Sequence, residues 1–497
     1  MSLLKSRSGE FELISRNVLW VGLARSAKYV RGLIFLPILT KMLGADYYGA
    51  WSIMLVTVYL LLPIVMLGLP YGLGRFIPGE KDKHEVAEGL FSTIYFVALF
   101  SSIGAISIYF LSDVIADGLL KNIAYSNIIK LISPLIVLQS LNQICTDFFV
   151  LRHKAKKYSM LMIAQTCIEI SLVYLFISSG YSLFGAALGL LISRGAILGV
   201  SMYFIVSHIG LCFPSVSVFS SYFRYGIHIV PSAISEWIIS SSDKYMIGLF
   251  LGAASVGLYS ASYGIATIPL VAMYIVTFAS SPIIFKSYDE GRIQDTQNYL
   301  SYSLKYILIL IIPSVFGLSI LARPILLSLT TAEFARFGIF IIPLVSSSII
   351  FEAVRATYGR VLQLYKRTKL FAIASLTAGL VNIGLNIFFI PHFGIIGAAT
   401  TTLIAYSITG IIMYRNSQKY IKFSIDKKSI LKSISASIIM SLAIFKLNPG
   451  SMVGLISSVS IGIVTYICTM LLMRSFQKNE LKIIFKVLKL RKIYERL

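Results

Sequence analysis

The sequence predicts an all-α polytopic membrane protein, and three observations carry that prediction. Apolar residues make up 57% of the 497 and charged residues only 13%, with a mean hydropathy of +0.82, whereas soluble domains devote about a quarter of their residues to charge. Apolar runs of span length recur from one end of the chain to the other. The chain also repeats itself at an offset near 210 residues. A soluble enzyme with one core is excluded, as is a single-span receptor, because no long stretch is polar enough to fold in water. Disorder is excluded by the same hydrophobicity.

About fourteen spans of ~20 residues account for the apolar content. In order they are expected at 17–41, 47–74, 89–112, 127–150, 158–179, 184–207, 225–250, 254–285, 299–322, 337–364, 368–390, 394–414, 430–446 and 452–473. The first follows a polar stretch, carries three basic residues and lacks a small-residue cleavage site, so it is expected to remain in the mature protein. Proline lies inside several spans, at Pro37, Pro63, Pro231, Pro269, Pro313 and Pro343, where each removes a backbone hydrogen bond and invites bending. The tail 474–497 alternates apolar and basic residues at helical spacing and reads as an orientation anchor or an amphipathic helix on anionic lipid.

Basic residues orient the spans. With the N-terminus inside, 31 of the 44 Lys and Arg fall in inside connections or tails and 6 in outside ones, which places both ends in the cytoplasm and the chain in the cytoplasmic membrane. The net charge of +23 is thus a topology signal, and no nucleic-acid partner is expected. Four cysteines in or beside apolar runs read as small buried hydrophobes, and five scattered histidines give no metal pattern.

Segment MLGADYYGAWS at 42–52 matches FLGAASVGLYS at 250–260, an offset of 208. VLRHKAKKYS at 150–159 matches LQLYKRTKLF at 362–371, and SLFGAALGLL at 182–191 matches GIIGAATTTL at 394–403, both offset by 212. Spans 1–6 and 7–12 are therefore expected to be two parallel copies. The expected organisation is an N-lobe at 1–208, a C-lobe at 209–424, two extra spans at 425–473 and the tail. Two facing six-helix bundles would enclose a cleft.

Charges inside spans cost ~2.5–3.5 kcal/mol each on insertion scales and need a reason. Arg25, Lys28 and Arg31 cover one broad face of span 1 near mid-depth. Either they pair with Glu236 and Asp243, which share a face of span 7, or they line a cavity that receives an anion. Glu169 and Arg194 are expected to pair across the hairpin of spans 5 and 6, and Glu352 and Arg355 on their own helix. Arg355 could also grip phosphate in bidentate fashion. Asp147 and Arg360 are expected in solvent near cytoplasmic ends. The surplus over the in-span acids is positive, against an organic-cation cargo.

The opening RNVLWVGLARSAKYVRGLIFLPILTKMLGADYYGAWSIM, the basic turn near 152–157 and the FGAA start of span 6 resemble the polysaccharide-export and O-antigen (Wzx-type) flippase family. That family lies in the multidrug/oligosaccharidyl-lipid/polysaccharide superfamily. The resemblance covers essentially the whole chain. It implies a fourteen-helix, two-lobe fold with a V-shaped central cavity, which flips a polyprenyl-pyrophosphate-linked oligosaccharide (an O-antigen, capsule or exopolysaccharide unit) to the outer leaflet. On that basis Arg25, Lys28 and Arg31 are expected to meet the head-group, with Arg194 and Arg355 behind them. Glu236, Asp243, Glu169 and Glu352 are candidates for charge balance or for a coupling sodium ion or proton, with no other cofactor. Anionic lipids and other polysaccharide-assembly proteins are the expected partners beside the lipid-linked substrate. A peptidoglycan lipid-precursor flippase and a drug/cation antiporter of the same superfamily remain as alternatives. An enzyme is not expected: the loops are short and hold no D-x-D pair or nucleotide-binding glycine loop.

Overall fold

The computed structural model describes the backbone of residues 2–80, 82–447 and 449–475; of these, the side chains of 2–19, 21, 23, 25, 26, 28, 29, 368 and 369 lie outside the described set, as does the whole expected tail from 476. Every regular element among the described residues is helical, as hydrocarbon requires of a chain that must satisfy its own backbone. Ten helical stretches are long and apolar enough to cross a membrane, from Val30–Val65 to Met452–Leu472. The helix Val230–Leu251 is not among them because it carries Glu236, Asp243 and Lys244.

Glycine marks the breaks between expected spans. The helical stretch Ser2–Val65 is interrupted at Gly44 and Thr368–Ser417 at Gly394. Helices Ala155–Phe176 and Ser182–Ile209 are joined by the π turn Ile177–Tyr181. They run antiparallel, since a Cβ on Gly189 would meet Val173 while one on Gly185 would meet Phe176. Two prolines correct the sequence reading. Pro231 lies in the first turn of its helix and Pro269 caps Leu270–Asp289, so both start helices where no hydrogen bond is lost. The expected span 254–285 is consequently two helices, Ala253–Ala266 and Leu270–Asp289.

The repeat is visible in the backbone. Gly44 (φ 84°, ψ −176°) and Gly252 (φ 82°, ψ −178°) share one conformation, open almost only to glycine, at the offset of 208. Ser182 (φ 50°, ψ −142°) and Gly394 (φ 61°, ψ −147°) share another at 212. Between them the left-handed residues of the basic turns are His153 and Lys366, 213 apart and so one residue off the sequence alignment. The first copy thus holds one extra residue between 153 and 182, the stretch that contains the π turn, where a single insertion is absorbed.

The chain divides into two units. The first comprises Met1–Gly264 and Ala372–Ala405. In it, copies of the repeat touch directly. A Cβ on Gly49 would lie 1.8 Å from the Ala253 carbonyl oxygen, and one on Gly257 2.1 Å from that of Ala45, so only glycine permits this crossing. The second unit comprises Ile265–Phe371 and the chain from Tyr406. Its core includes Phe334 and Tyr358, both fully buried. Helices Lys427–Phe445 and Met452–Leu472 join it through Tyr466, which shares a hydrogen bond with Ser433 at 2.8 Å and donates to the Ile309 carbonyl at 2.8 Å.

The cysteine expectation holds for Cys145, which is buried, but Cys167 and Cys468 are exposed and Cys212 intermediate. An apolar run does not imply burial in protein when the helix face meets lipid.

Candidate functional site

A buried charge cluster sits in the first unit where three helices meet. The Arg31 guanidinium donates from Nη1 to both carboxylate oxygens of Glu169, at 2.8 and 2.9 Å. Arg194 Nη2 lies 3.4 Å from Glu169 Oε2. The hairpin explains the second contact: Gly185 and Gly189 bring Ser182–Ile209 against Ala155–Phe176, so Glu169 and Arg194 face one another across it. Packing of the first helix along Ala155–Phe176 explains the first contact, and Ser159 Oγ fixes it by donating to the Trp20 carbonyl at 2.6 Å. With its amide oxygen turned toward Arg194, Gln165 accepts from Nε at 3.0 Å, and the Tyr59 hydroxyl hydrogen-bonds to Arg31. The Glu169 side chain is 1% exposed and those of Arg194 and Arg31 are 9% and 16% exposed. Among the described residues, two permanent cations thus share one carboxylate and leave one positive charge over, with Arg31 the accessible member.

The expected Glu169–Arg194 pair is present, while Arg31 departs from its expected partners. It is held by Glu169 and not by Glu236 or Asp243, because span 1 packs on span 5, which no spacing within span 1 could reveal. The side chains of Arg25 and Lys28 lie outside the described residues. Glu236 is exposed on its helix.

Asp243 is 1% exposed and forms a second, separate cluster in the same unit. Its carboxylate accepts from the Lys244 backbone N–H at 2.8 Å and from the Tyr259 hydroxyl, and the Thr402 hydroxyl lies 3.5 Å from that of Tyr259. The Lys244 ammonium lies 4.4 Å from the centre of the Tyr263 ring. Beside it, Asn386 Nδ2 donates to Asn382 Oδ1 at 3.0 Å, Ser242 Oγ donates to the same oxygen at 3.3 Å, and Thr401 donates to Asn386 Oδ1. Buried oxygens rich in carboxylate, amide and hydroxyl suit a small hard cation or a proton. The sequence reading found Asp243 but missed Tyr259, Asn382, Asn386, Thr401 and Thr402. The signal was available: two asparagines four residues apart and a run of threonines within apolar spans.

In the second unit Glu352 accepts from Arg355 Nε at 2.5 Å and from Nη2 at 2.7 Å, the pairing its spacing predicts. Arg360, expected in solvent, is instead 5% exposed, because neighbouring helices cover it although it lies close to a helix end.

Comparison with known proteins places the chain. Residues 14–288 match the model of the family described as polysaccharide biosynthesis protein, and residues 229–388 match that of the MatE family. The probable low-salt glycan biosynthesis flippase Agl15 of Haloferax volcanii is 24% identical over 460 residues, 91% of this chain and 94% of that protein. The succinoglycan biosynthesis transport protein ExoT of Rhizobium meliloti is 24% identical over 326 residues, 65% of this chain and 63% of ExoT. Among solved structures, the lipid II flippase MurJ in an inward closed conformation aligns with a TM-score of 0.72 at 19% identity, covering 92% of this chain and 98% of MurJ. An inward-facing multidrug resistance transporter of the MATE family aligns at 0.68 and 14% identity, covering 81% and 94%. These structural likenesses speak for the fold. The first family match takes in more than half of the sequence, so the chain belongs to the polysaccharide biosynthesis protein family, within the multidrug/oligosaccharidyl-lipid/polysaccharide superfamily.

Proposed function

We propose that this protein flips a polyprenyl-pyrophosphate-linked oligosaccharide, such as an O-antigen, capsule or exopolysaccharide repeat unit, from the cytoplasmic to the outer leaflet by alternating access of its two repeat-derived lobes. The observation that carries the reading is the cluster of Arg31, Glu169 and Arg194, a buried site with one uncompensated positive charge. A pyrophosphate cannot enter hydrocarbon bare, and guanidinium forks replace its water with charge-assisted donors. From the sequence alone, Arg25, Lys28 and Arg355 are further candidates to meet the phosphates, while the lipid tail stays in the bilayer. The names of the two sequence relatives, a glycan biosynthesis flippase and a succinoglycan transport protein, support a sugar-bearing cargo. Asp243 and its hydroxyl and amide neighbours supply the place for a coupling sodium ion or proton.

The test is complementation of a strain that lacks its own polysaccharide flippase. Wild type is expected to restore surface polysaccharide, and Arg31→Gln at equal protein level is expected to lose it. Export unchanged in Arg31→Gln would sink the site assignment. Rescue of a strain depleted of its lipid II flippase, without polysaccharide export, would favour the peptidoglycan precursor as cargo.

A further inference from the structure

Arg360 stands on the helix Ala332–Leu364, one turn before its end and six residues before the basic turn at Lys366 and Arg367 that the charge asymmetry assigns to the cytoplasm. It is 5% exposed, yet among the described residues its one hydrogen bond is Nη1 to Ser280 Oγ, at 3.4 Å. No carboxylate among the described residues offsets its charge. The nearest one on its own helix, Glu352, is eight residues back, about 12 Å along the axis, and is held by Arg355. A guanidinium presents five N–H donors and does not deprotonate in proteins. A buried cation with no carboxylate beside it is costly unless something offsets its charge.

Hydroxyls gather on the helices beside it. Ser280 shares a hydrogen bond with Ser303 at 3.1 Å. Thr277, one turn earlier on the same face of Leu270–Asp289, has a buried Oγ1 with no hydrogen-bond partner. We propose that Arg360, with Ser280 and Thr277, forms a phosphate-binding site between two helices of the second unit. A guanidinium fork with adjacent hydroxyl donors matches a tetrahedral oxyanion, and basic pockets between membrane helices on the cytoplasmic side take lipid phosphates. The phosphate is either the phosphodiester of an anionic lipid or a free phosphate or pyrophosphate. The site stands apart from the proposed transport role and would exist whatever the cargo.

The experiment measures thermal unfolding of the full-length protein in phosphatidylcholine nanodiscs, with two arms. One adds inorganic pyrophosphate, and the other replaces part of the lipid with phosphatidylglycerol. Wild type is expected to gain stability in at least one arm. Arg360→Leu is expected to lose that gain, with at least a tenfold weaker apparent affinity, and Thr277→Val to lessen it. A gain confined to phosphatidylglycerol identifies a lipid phosphate, and one confined to pyrophosphate identifies a soluble or head-group phosphate. Leu at 360 removes a charge without stranding a partner; should it fail to fold, Arg360→Lys, which keeps the charge but not the fork, serves in its place. The Arg360-dependent gain is expected to survive Arg31→Gln, which separates this site from the first cluster. Wild type that responds in neither arm, or Arg360→Leu that responds as wild type does, overturns the proposal.

Discussion

Ser52 and Ser260 share a hydrogen bond at 2.7 Å, and they stand 208 residues apart, the offset of the repeat. Equivalent residues of the two copies therefore meet each other, beside the crossing at Gly49 and Gly257. The proposed alternating access would require contacts of this kind to part. With both serines replaced by cysteine, oxidation is expected to join them and reduce polysaccharide export at least tenfold, with recovery on adding a reductant. Export that proceeds normally in the oxidised, cross-linked protein would show that this crossing never opens.

Among the described residues, Glu169 is the one anion between Arg31 and Arg194. Glu169→Gln should leave two buried guanidiniums facing each other and cost roughly 3–5 kcal/mol of stability. Combining it with Arg31→Gln should recover part of that loss, because the second change removes one of the stranded charges. A double-mutant cycle on thermal or denaturant unfolding reads the coupling.

Asp243→Asn is expected to abolish the dependence of transport on a sodium or proton gradient while leaving folded protein in the membrane, since Asn keeps the shape and an acceptor for Tyr259. Transport into vesicles with and without each gradient is the measurement. An Asn variant that still responds to a gradient removes Asp243 from the coupling path.

Asp426 caps the helix Lys427–Phe445, accepting from the Ser429 N–H at 3.0 Å and the Ser429 hydroxyl at 2.6 Å, with the Lys305 ammonium 3.5 Å away. Burial alone would raise its carboxyl, but the Ser429 donors and Lys305 outweigh it and hold the group below the usual carboxylate range. The folded value is the lower one, so the stabilisation is present above the unfolded value and fades as pH falls through the folded one. Asp426→Ala should cost about 1 kcal/mol at neutral pH. The difference from wild type should shrink in acid unfolding below about pH 4.

Ser182 holds the backbone conformation that Gly394 holds in the second copy. A side chain is strained there by ~1–3 kcal/mol, against which glycine loses some of the benefit through its freer unfolded chain. Ser182→Gly is expected to raise stability by about 1 kcal/mol. A fall in melting temperature would mean that the Ser182 side chain contributes more than its backbone strain costs.

Much of this architecture was legible in the residues. Hydropathy predicted an all-helical membrane protein, and the short sequence matches pointed to a repeat, whose matched segments hold Gly44, Gly252, Ser182 and Gly394 at turns of shared conformation. Pairs close in sequence or across one hairpin, Glu352–Arg355 and Glu169–Arg194, followed from helical spacing and loop length. What escaped depends on which helices pack together. Arg31 and Glu169 are 138 residues apart, and no periodicity within either helix names the other. Arg360 was misjudged because distance from a helix end measures depth along the membrane, not cover by neighbouring helices. Cys167 and Cys468 show the converse, apolar positions left exposed on their helices.

The single carboxylate in the Arg31 cluster also bears on timing. An anion within ~4 Å of a surplus cation at an effective dielectric near 20 gains ~4 kcal/mol per charge, which is about three decades in dwell time. Were Glu169 absent, a phosphorylated guest would face two cations and linger on the order of a thousandfold longer. On the proposed function such a delay would slow every cycle, so the acid is expected to serve departure as much as arrival.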